Sequence, residues 1–201
     1  MQTRAALVRA AAAMFDRHGY DGTALSTICK EASISMGALT FHFSSKAELA
    51  EVVEAEGRAT IQTTVDQAAA GSGPALSKVV GMTLELTRLL ETHVLARSAC
   101  RLARERPGSE VAWTSPWLPT VRRLLDEAHH SGQLHGAAGP ADVTQLVEYL
   151  VRGAESHLRD RFATEQECES AADRLERVWR FALTRVEAAQ DRGHQARPSG
   201  R

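Results

Sequence analysis

The stretch from Thr23 to Lys46, TALSTICKEASISMGALTFHFSSK, decides how this chain is read. Leu25 and Ile28 share one face of a short helix that Thr23 or a neighbour can cap, and Ala32 closes it before a turn at Ser33-Ile34. Ser35 is a good N-cap for the next helix, whose first turn carries the small residues Gly37 and Ala38. Upstream, Leu7, Ala11, Met14, Phe15 and His18 recur at helical spacing until Gly19 stops them. Together these segments form a helix-turn-helix with a third, recognition helix. Its small residues allow close approach to another polymer, and its N-terminus offers unpaired N–H groups to phosphate. Double-stranded DNA is the expected partner.

Working outward, the apolar period stays near 3.6 residues. A long helix is predicted from Ser45 to about Ala70, with Leu49, Val52, Val53, Ile61 and Val65 as its buried stripe, ended by Gly71-Ser72-Gly73-Pro74. Further helices are predicted over about 75–91, 93–104 and 116–131. A helix opening at Asp142 repeats Val143, Leu146, Val147, Leu150, Val151, Ala154 and Leu158, and a last one repeats Leu175, Val178, Trp179, Ala182, Leu183 and Val186. No strand-like alternation persists. The expected fold is therefore all-α with about nine helices: a helix-turn-helix domain at 1–46, a larger helical regulatory and dimerisation domain at 47–190, and a disordered tail at 191–201 containing Gly193, Pro198 and Gly200.

Gly19-Tyr20, MGALTFHF at Met36 to Phe43 and SKAEL at Ser45 to Leu49 stand in an order and spacing that resembles the TetR family of repressors over roughly the first fifty residues. The resemblance implies a homodimer in which the last two helices pair with their symmetry mates as a four-helix bundle. Its dimerisation residues would be Leu146, Leu150, Leu158, Leu175, Val178, Trp179, Ala182, Leu183 and Val186. Residues expected at the DNA are Thr23, Ser35, Met36, Gly37, Ala38, Thr40, Phe41, His42 and Lys46. Lys46 and the start of the recognition helix would meet mainly phosphate, and Ala38, Phe41 or His42 base edges. Phe43 is expected in the core.

Two positions depart from the family pattern. Met36 stands where a basic residue is usual, and Thr40 where a tyrosine usually reaches a phosphate. Residues 1–50 carry five Lys/Arg (Arg4, Arg9, Arg17, Lys30, Lys46) against four Asp/Glu (Asp16, Asp21, Glu31, Glu48), so the expected grip on phosphate is weak. Each cationic contact contributes about 0.9 to the salt slope of binding.

A second, looser resemblance covers residues 75–160. Trp113 and Trp117, in VAWTSPWL at Val111 to Leu118, precede LLDEAHHSGQL at Leu124 to Leu134 and follow LARSACRLARER at Leu95 to Arg106, as in the γ-butyrolactone receptor branch of the family. That branch implies a small amphiphilic ligand, a γ-butyrolactone-like signal or else an antibiotic or biosynthetic intermediate, with Trp117 lining its pocket and Trp113 as the other candidate. An indole suits such a molecule, with an apolar face and one N–H donor. Pocket walls would come from Met82, Leu86, Leu90, Leu102, Val147, Leu150, Val151 and Ala154. Ligand binding would favour a spacing of the paired recognition helices that no longer meets successive major grooves.

Other classes fit less well. Formal net charge is -1 and the pI about 6.7, so overall charge advertises no nucleic-acid binder and the DNA reading rests on local pattern. The E-x-x-H of Glu127 to His130 has no second copy of the kind that carboxylate-bridged metal sites require. There is no Gly-rich phosphate loop, nucleophile elbow or paired-carboxylate motif, so an enzyme, a metal centre and a cofactor are not expected. Cys29, Cys100 and Cys168 are odd in number and widely spaced, which fits a reducing cytoplasm. No signal segment or membrane-length apolar run is seen, and no membrane is expected as a partner. The near-neutral first domain leaves one alternative, a helical small-molecule-binding dimer with weak or lost DNA binding.

Overall fold

A computed structural model describes residues 2–106, 112–134, 139–164 and 169–194, with side chains described as far as Asp160 and Leu183 in the last two segments. Among the described residues there are nine α-helices and no strand: α1 (Gln2–His18), α2 (Leu25–Ala32), α3 (Met36–His42), α4 (Lys46–Ala70), α5 (Ala75–Thr92), α6 (Val94–Glu105), α7 (Leu118–His130), α8 (Pro140–Thr164) and α9 (Ala171–His194). α9 thus continues four residues into the segment expected as a tail, and 195–201 lie outside the described residues. The chain divides into two compact units, 1–64 with 92–117 and 65–91 with 118–201. The boundary expected at 46/47 falls inside the first unit, because α6 packs on α1.

In the first unit α1 buries Leu7, Val8, Ala11 and Phe15, and it ends where Gly19 takes the left-handed conformation at φ 73°. His18, expected on the buried face, is exposed at that end. Ile28, Cys29, Leu39, Phe43, Leu49, Val53 and Leu102 complete one core. α6 is tied to α1 by polar contacts as well. The Arg97 guanidinium donates from Nε and Nη2 to Asp16 Oδ2 at 3.0 and 2.9 Å, Arg101 donates to the Asp16 carbonyl at 2.8 Å, and Tyr20 N donates to Glu105 at 3.0 Å. The half-buried Arg97–Asp16 contact is the strongest of these, and the exposed Glu105 contact contributes no more than about 1 kcal/mol. α4 meets α6 closely at Gly57, where an added Cβ would lie 2.5 Å from the Leu95 carbonyl.

The second unit packs α5, α7, α8 and α9 around Val79, Met82, Leu86, Val121, Leu125, Val147, Val151, Leu175 and Trp179. Its helix starts are capped from a distance. Gln133 accepts from Leu76 N at the head of α5, and Glu91 accepts from Ala171 N and the Ser170 hydroxyl at the head of α9. α8 begins two residues before Asp142, at Pro140, a residue pre-shaped for the first helical position, and Asp142 accepts from Gly139 N.

Candidate nucleic-acid interface and ligand-binding residues

α2 and α3 are joined by a tight turn in which Ser33 takes φ 55° and Ile34 N donates to the Cys29 carbonyl. α3 starts as its sequence requires, with Ser35 Oγ accepting from Ala38 N at 3.2 Å, and Leu39 plugs it into the core while Phe43 follows as a buried stop. The outer side of α3 is consequently turned to solvent. Met36 is 42% exposed and Phe41 84%, with Gly37 and Thr40 exposed beside them and Ala38 and His42 half-buried.

Two residues expected at the DNA are instead used inside the chain. Thr23 is only 2% exposed, and its hydroxyl donates to the Gly19 carbonyl at 2.7 Å. It does not cap α2 either, whose N-cap is Ala24 with no side-chain bond. Lys46 donates to the Tyr20 and Thr23 carbonyls at 2.9 and 3.1 Å and lies 4.2 Å from the Tyr20 ring centroid, so its charge ties down the α1–α2 turn. Arg4, Arg9, Arg17 and Lys30 are exposed cations of these helices. Arg4 lies 3.7 Å from Glu56 and over the Phe43 ring.

The junction after α3 holds a feature that sequence reading passed over. Ser45 Oγ accepts from Glu48 N, while the Glu48 carboxylate accepts from both Ser44 N (2.7 Å) and the Ser44 hydroxyl (2.6 Å). Those Ser44 bonds, the hydroxyl first, hold the Glu48 carboxyl below its ordinary pKa. The signal was present as the S-x-x-E of a capping box.

Of the residues expected at a ligand, Trp113, Trp117 and Leu102 are buried in the first unit, with the two indole centroids 5.6 Å apart. Among the described residues the Trp117 indole N–H, fully buried, meets no acceptor. An unmet buried donor costs about 1–3 kcal/mol. Met82, Leu86, Leu90, Val147 and Val151 are buried in the second unit, and Leu150 and Ala154 are half-buried there.

The expected dimer seam is partly reassigned. Leu158, Leu175 and Trp179 are buried within the second unit, where Trp179 Nε1 donates to Thr83 Oγ1 at 2.9 Å. Leu146 and Val178 are each 41% exposed, Leu150, Ala182 and Leu183 are half-buried, and Val186 lies outside the described side chains. Tyr149 and Phe181, 64% and 67% exposed, lie beside this stripe and were not among the expected residues. Each sits three residues after an exposed member of the stripe, a spacing that would have found them. Among the described residues no helix is long and apolar enough to cross a membrane, and no cluster of three or more metal-ligating side chains occurs. Glu127 instead lies 3.7 Å from Arg123, and His130 Nδ1 is 2.6 Å from the Asp126 carbonyl.

Residues 7–53 match the model of the bacterial regulatory proteins, tetR family. The full-length structure of TylP, a TetR regulator from Streptomyces fradiae, is 31% identical, with 82% of this chain and 77% of that one covered at a TM-score of 0.52. The chain belongs to the TetR family. Within the family it is similar to a γ-butyrolactone receptor (ArpA-like protein) of known structure, with 28% identity, 88% and 96% covered and a TM-score of 0.68. CprB of Streptomyces coelicolor, solved in complex with its biological operator sequence, gives 26% identity, 91% and 87% covered and a TM-score of 0.74. The chain spans about half the length of the curated relative it matches, the A-factor receptor protein of Streptomyces griseus: 29% identity over 149 residues, 73% of this chain and 51% of that protein. These relatives are regulators, as the helix-turn-helix implied.

Proposed function

We propose that this TetR-family protein is a ligand-responsive transcriptional repressor that binds a pseudo-palindromic operator as a homodimer and is released by a small amphiphilic molecule of the γ-butyrolactone type. The observation that carries the reading is α3: its inner side is locked by Leu39 and Phe43, while its outer side has Phe41 at 84% exposure. An exposed ring on the outer side of the second helix of a helix-turn-helix stands where a groove-reading side chain is needed. Residues 1–46 are the DNA-reading part in this proposal and 47–190 the regulatory and dimerising part.

The ligand reading rests on Trp117. A ring oxygen or carbonyl of a butyrolactone is the acceptor its buried N–H lacks, and the neighbouring indole adds apolar area. α6 supplies the link to DNA, since it shares a compact unit with both tryptophans and with the helix-turn-helix and grips α1 through Arg97 and Arg101. A ligand that prefers a displaced α6 thereby favours recognition helices set off the spacing of roughly 34–36 Å between successive major grooves. Titration of intrinsic fluorescence with synthetic γ-butyrolactones tests this part. A quench is expected in the wild type and none in Trp117→Phe, which keeps an aromatic ring and removes the donor; an equal quench in the variant removes Trp117 from the site.

The internal use of Lys46 and the Thr40 hydroxyl, which donates to the Gly37 carbonyl at 3.1 Å, supports a second reading, a ligand-binding dimer with weak DNA affinity. Gel-shift titration against the chain's own upstream region, at low and moderate salt, separates the two. The absence of a complex with any pseudo-palindromic duplex at low salt selects the second.

A further inference from the structure

α3, the helix assigned to the groove, spans Met36 to His42 and reads MGALTFH. It contains no arginine, lysine, asparagine, glutamine, aspartate or glutamate. Those are the side chains that pair with guanine, adenine and cytosine edges in the major groove. Its one hydroxyl is already committed as a donor, from Thr40 Oγ1 to the Gly37 carbonyl. What the helix does present is apolar. Phe41 is 84% exposed and packs edge-on against the His42 ring at 5.2 Å, and Met36 is 42% exposed.

Helical geometry puts Gly37 and Phe41 one turn apart on the side opposite the buried Leu39. An added Cβ at Gly37 would meet no atom of this chain within 4 Å, so the fold itself does not require a glycine there. A glycine at that place disfavours the helix by about 1 kcal/mol relative to alanine. Its bare backbone is of use only to something outside the chain that comes close, and it brings Phe41 deeper into whatever the helix enters. In the major groove one base carries an apolar group at its edge, the C5-methyl of thymine.

We infer that this protein reads its operator through thymine methyl groups, with Phe41 as the specificity-determining side chain and Gly37 providing the close approach. The inference rests on the proposed DNA binding and adds the chemistry that is read. Hydrogen-bonded base recognition by the side chains of α3 is then left to His42 and to the acceptor lone pairs of Thr40 Oγ1, and the site should be rich in A·T pairs where Phe41 docks. The operator complex of the similar CprB supports a duplex as the partner.

The test uses the full-length protein and a duplex that it enriches from a randomised pool made with thymine. Uracil differs from thymine only by the methyl and keeps the pairing, so the enriched duplex is remade with single T-to-U replacements and with both symmetry-related positions replaced. Removing one methyl from a well-buried contact should weaken binding about fourfold, and removing both about tenfold or more. Phe41→Ala should bind the thymine and uracil duplexes equally, with an unchanged melting temperature because the ring is exposed. Wild-type indifference to uracil at every position overturns the inference while leaving DNA binding intact, as does a Phe41→Ala variant that keeps the thymine preference. If no duplex is enriched and none is bound at low salt, DNA binding itself fails and the inference falls with it.

Discussion

α3 and the α8–α9 pair both show apolar side chains to solvent, and they do so differently. On α3 the apolar surface is one narrow ridge around Phe41 with a bare glycine beside it, mounted on a helix of seven residues. On α8 and α9 it is spread along two long helices as Leu146, Tyr149, Val178 and Phe181, interleaved with Glu148, Arg152, Arg177 and Arg180. A ridge that short offers too little area for a lasting protein interface but matches a groove. The broad face has the aromatic and aliphatic content of a helix–helix seam, and its rim of charges suits register more than affinity. Exposure by itself therefore says little about the occupant; the width of the patch and what brackets it say more.

The strongest way to break this contrast is to charge the broad face. In the proposed symmetric dimer, Tyr149→Asp with Val178→Asp places four carboxylates in the seam, and each desolvated charge costs several kcal/mol. Sedimentation analysis should find monomer over the whole working range of concentration, with helical circular dichroism retained because both side chains are solvent-exposed at the start. An unchanged dimer would put the seam elsewhere. The same variant should lose operator binding, since two half-sites then no longer act together.

On the narrow side, Phe41 and Phe43 form a control two residues apart. Phe43 is buried beside Leu39, and its replacement by alanine should cost about 3–5 kcal/mol in chemical denaturation. Phe41→Ala should change stability by no more than about 0.5 kcal/mol. Equal losses from the two would mean that α3 is seated the other way round.

Much of this was legible beforehand, for reasons that differ by residue. Ser35 acts through its hydroxyl on the next turn of backbone and Ser33 and Gly19 through their own backbone, so capping and turn chemistry alone placed them, and Leu39 and Phe43 follow from helical period. Thr23 and Trp179 are held inside the chain by partners across a turn or distant in sequence, Gly19 and Met14 for Thr23 and Thr83 for Trp179, and Lys46 has the Tyr20 and Thr23 carbonyls as partners beside any phosphate. Polar side chains near a motif look free in a sequence until the carbonyls that claim them are known. Likewise, periodicity shows that a helix has an apolar stripe but not which edge of it faces its own unit, which is why Trp179 was expected in the seam although it is buried, while the exposed Phe181 was not named.

Gly37→Ala sharpens the narrow side further. With open space at the added Cβ, helix propensity should raise stability by about 0.5–1 kcal/mol. Affinity for the enriched duplex should fall at the same time. Tighter folding together with weaker DNA binding is the pattern of a residue kept for a partner. A rise in both would make Gly37 an accident of sequence and leave Phe41 to approach the bases unaided.

The smallest effect concerns how α3 is held in place at its exit. Glu48 has its pKa lowered in the folded protein by the Ser44 hydroxyl and backbone N–H, from an ordinary 4.5. A carboxyl with a depressed folded pKa binds fewer protons folded than unfolded, so its contribution is complete above the unfolded value and declines as pH falls through the folded one. Between neutral pH and about pH 5 nothing should change; below about 4.5 the Ser44–Glu48 contact should weaken and α4 fray at its first turn. Glu48→Gln should flatten that part of the acid profile, read as the difference in melting temperature between wild type and variant at each pH. The carboxylate is solvent-exposed, so salt and water soften the effect, and the shift should be at the edge of detection by melting. Amide exchange at Glu48 and Leu49 is the more sensitive readout. If those amides exchange at the same rate at pH 5 and pH 3, after correction for intrinsic chemistry, the turn that follows Phe41 is fixed by Phe43 and Leu49 in the core and owes nothing to the cap.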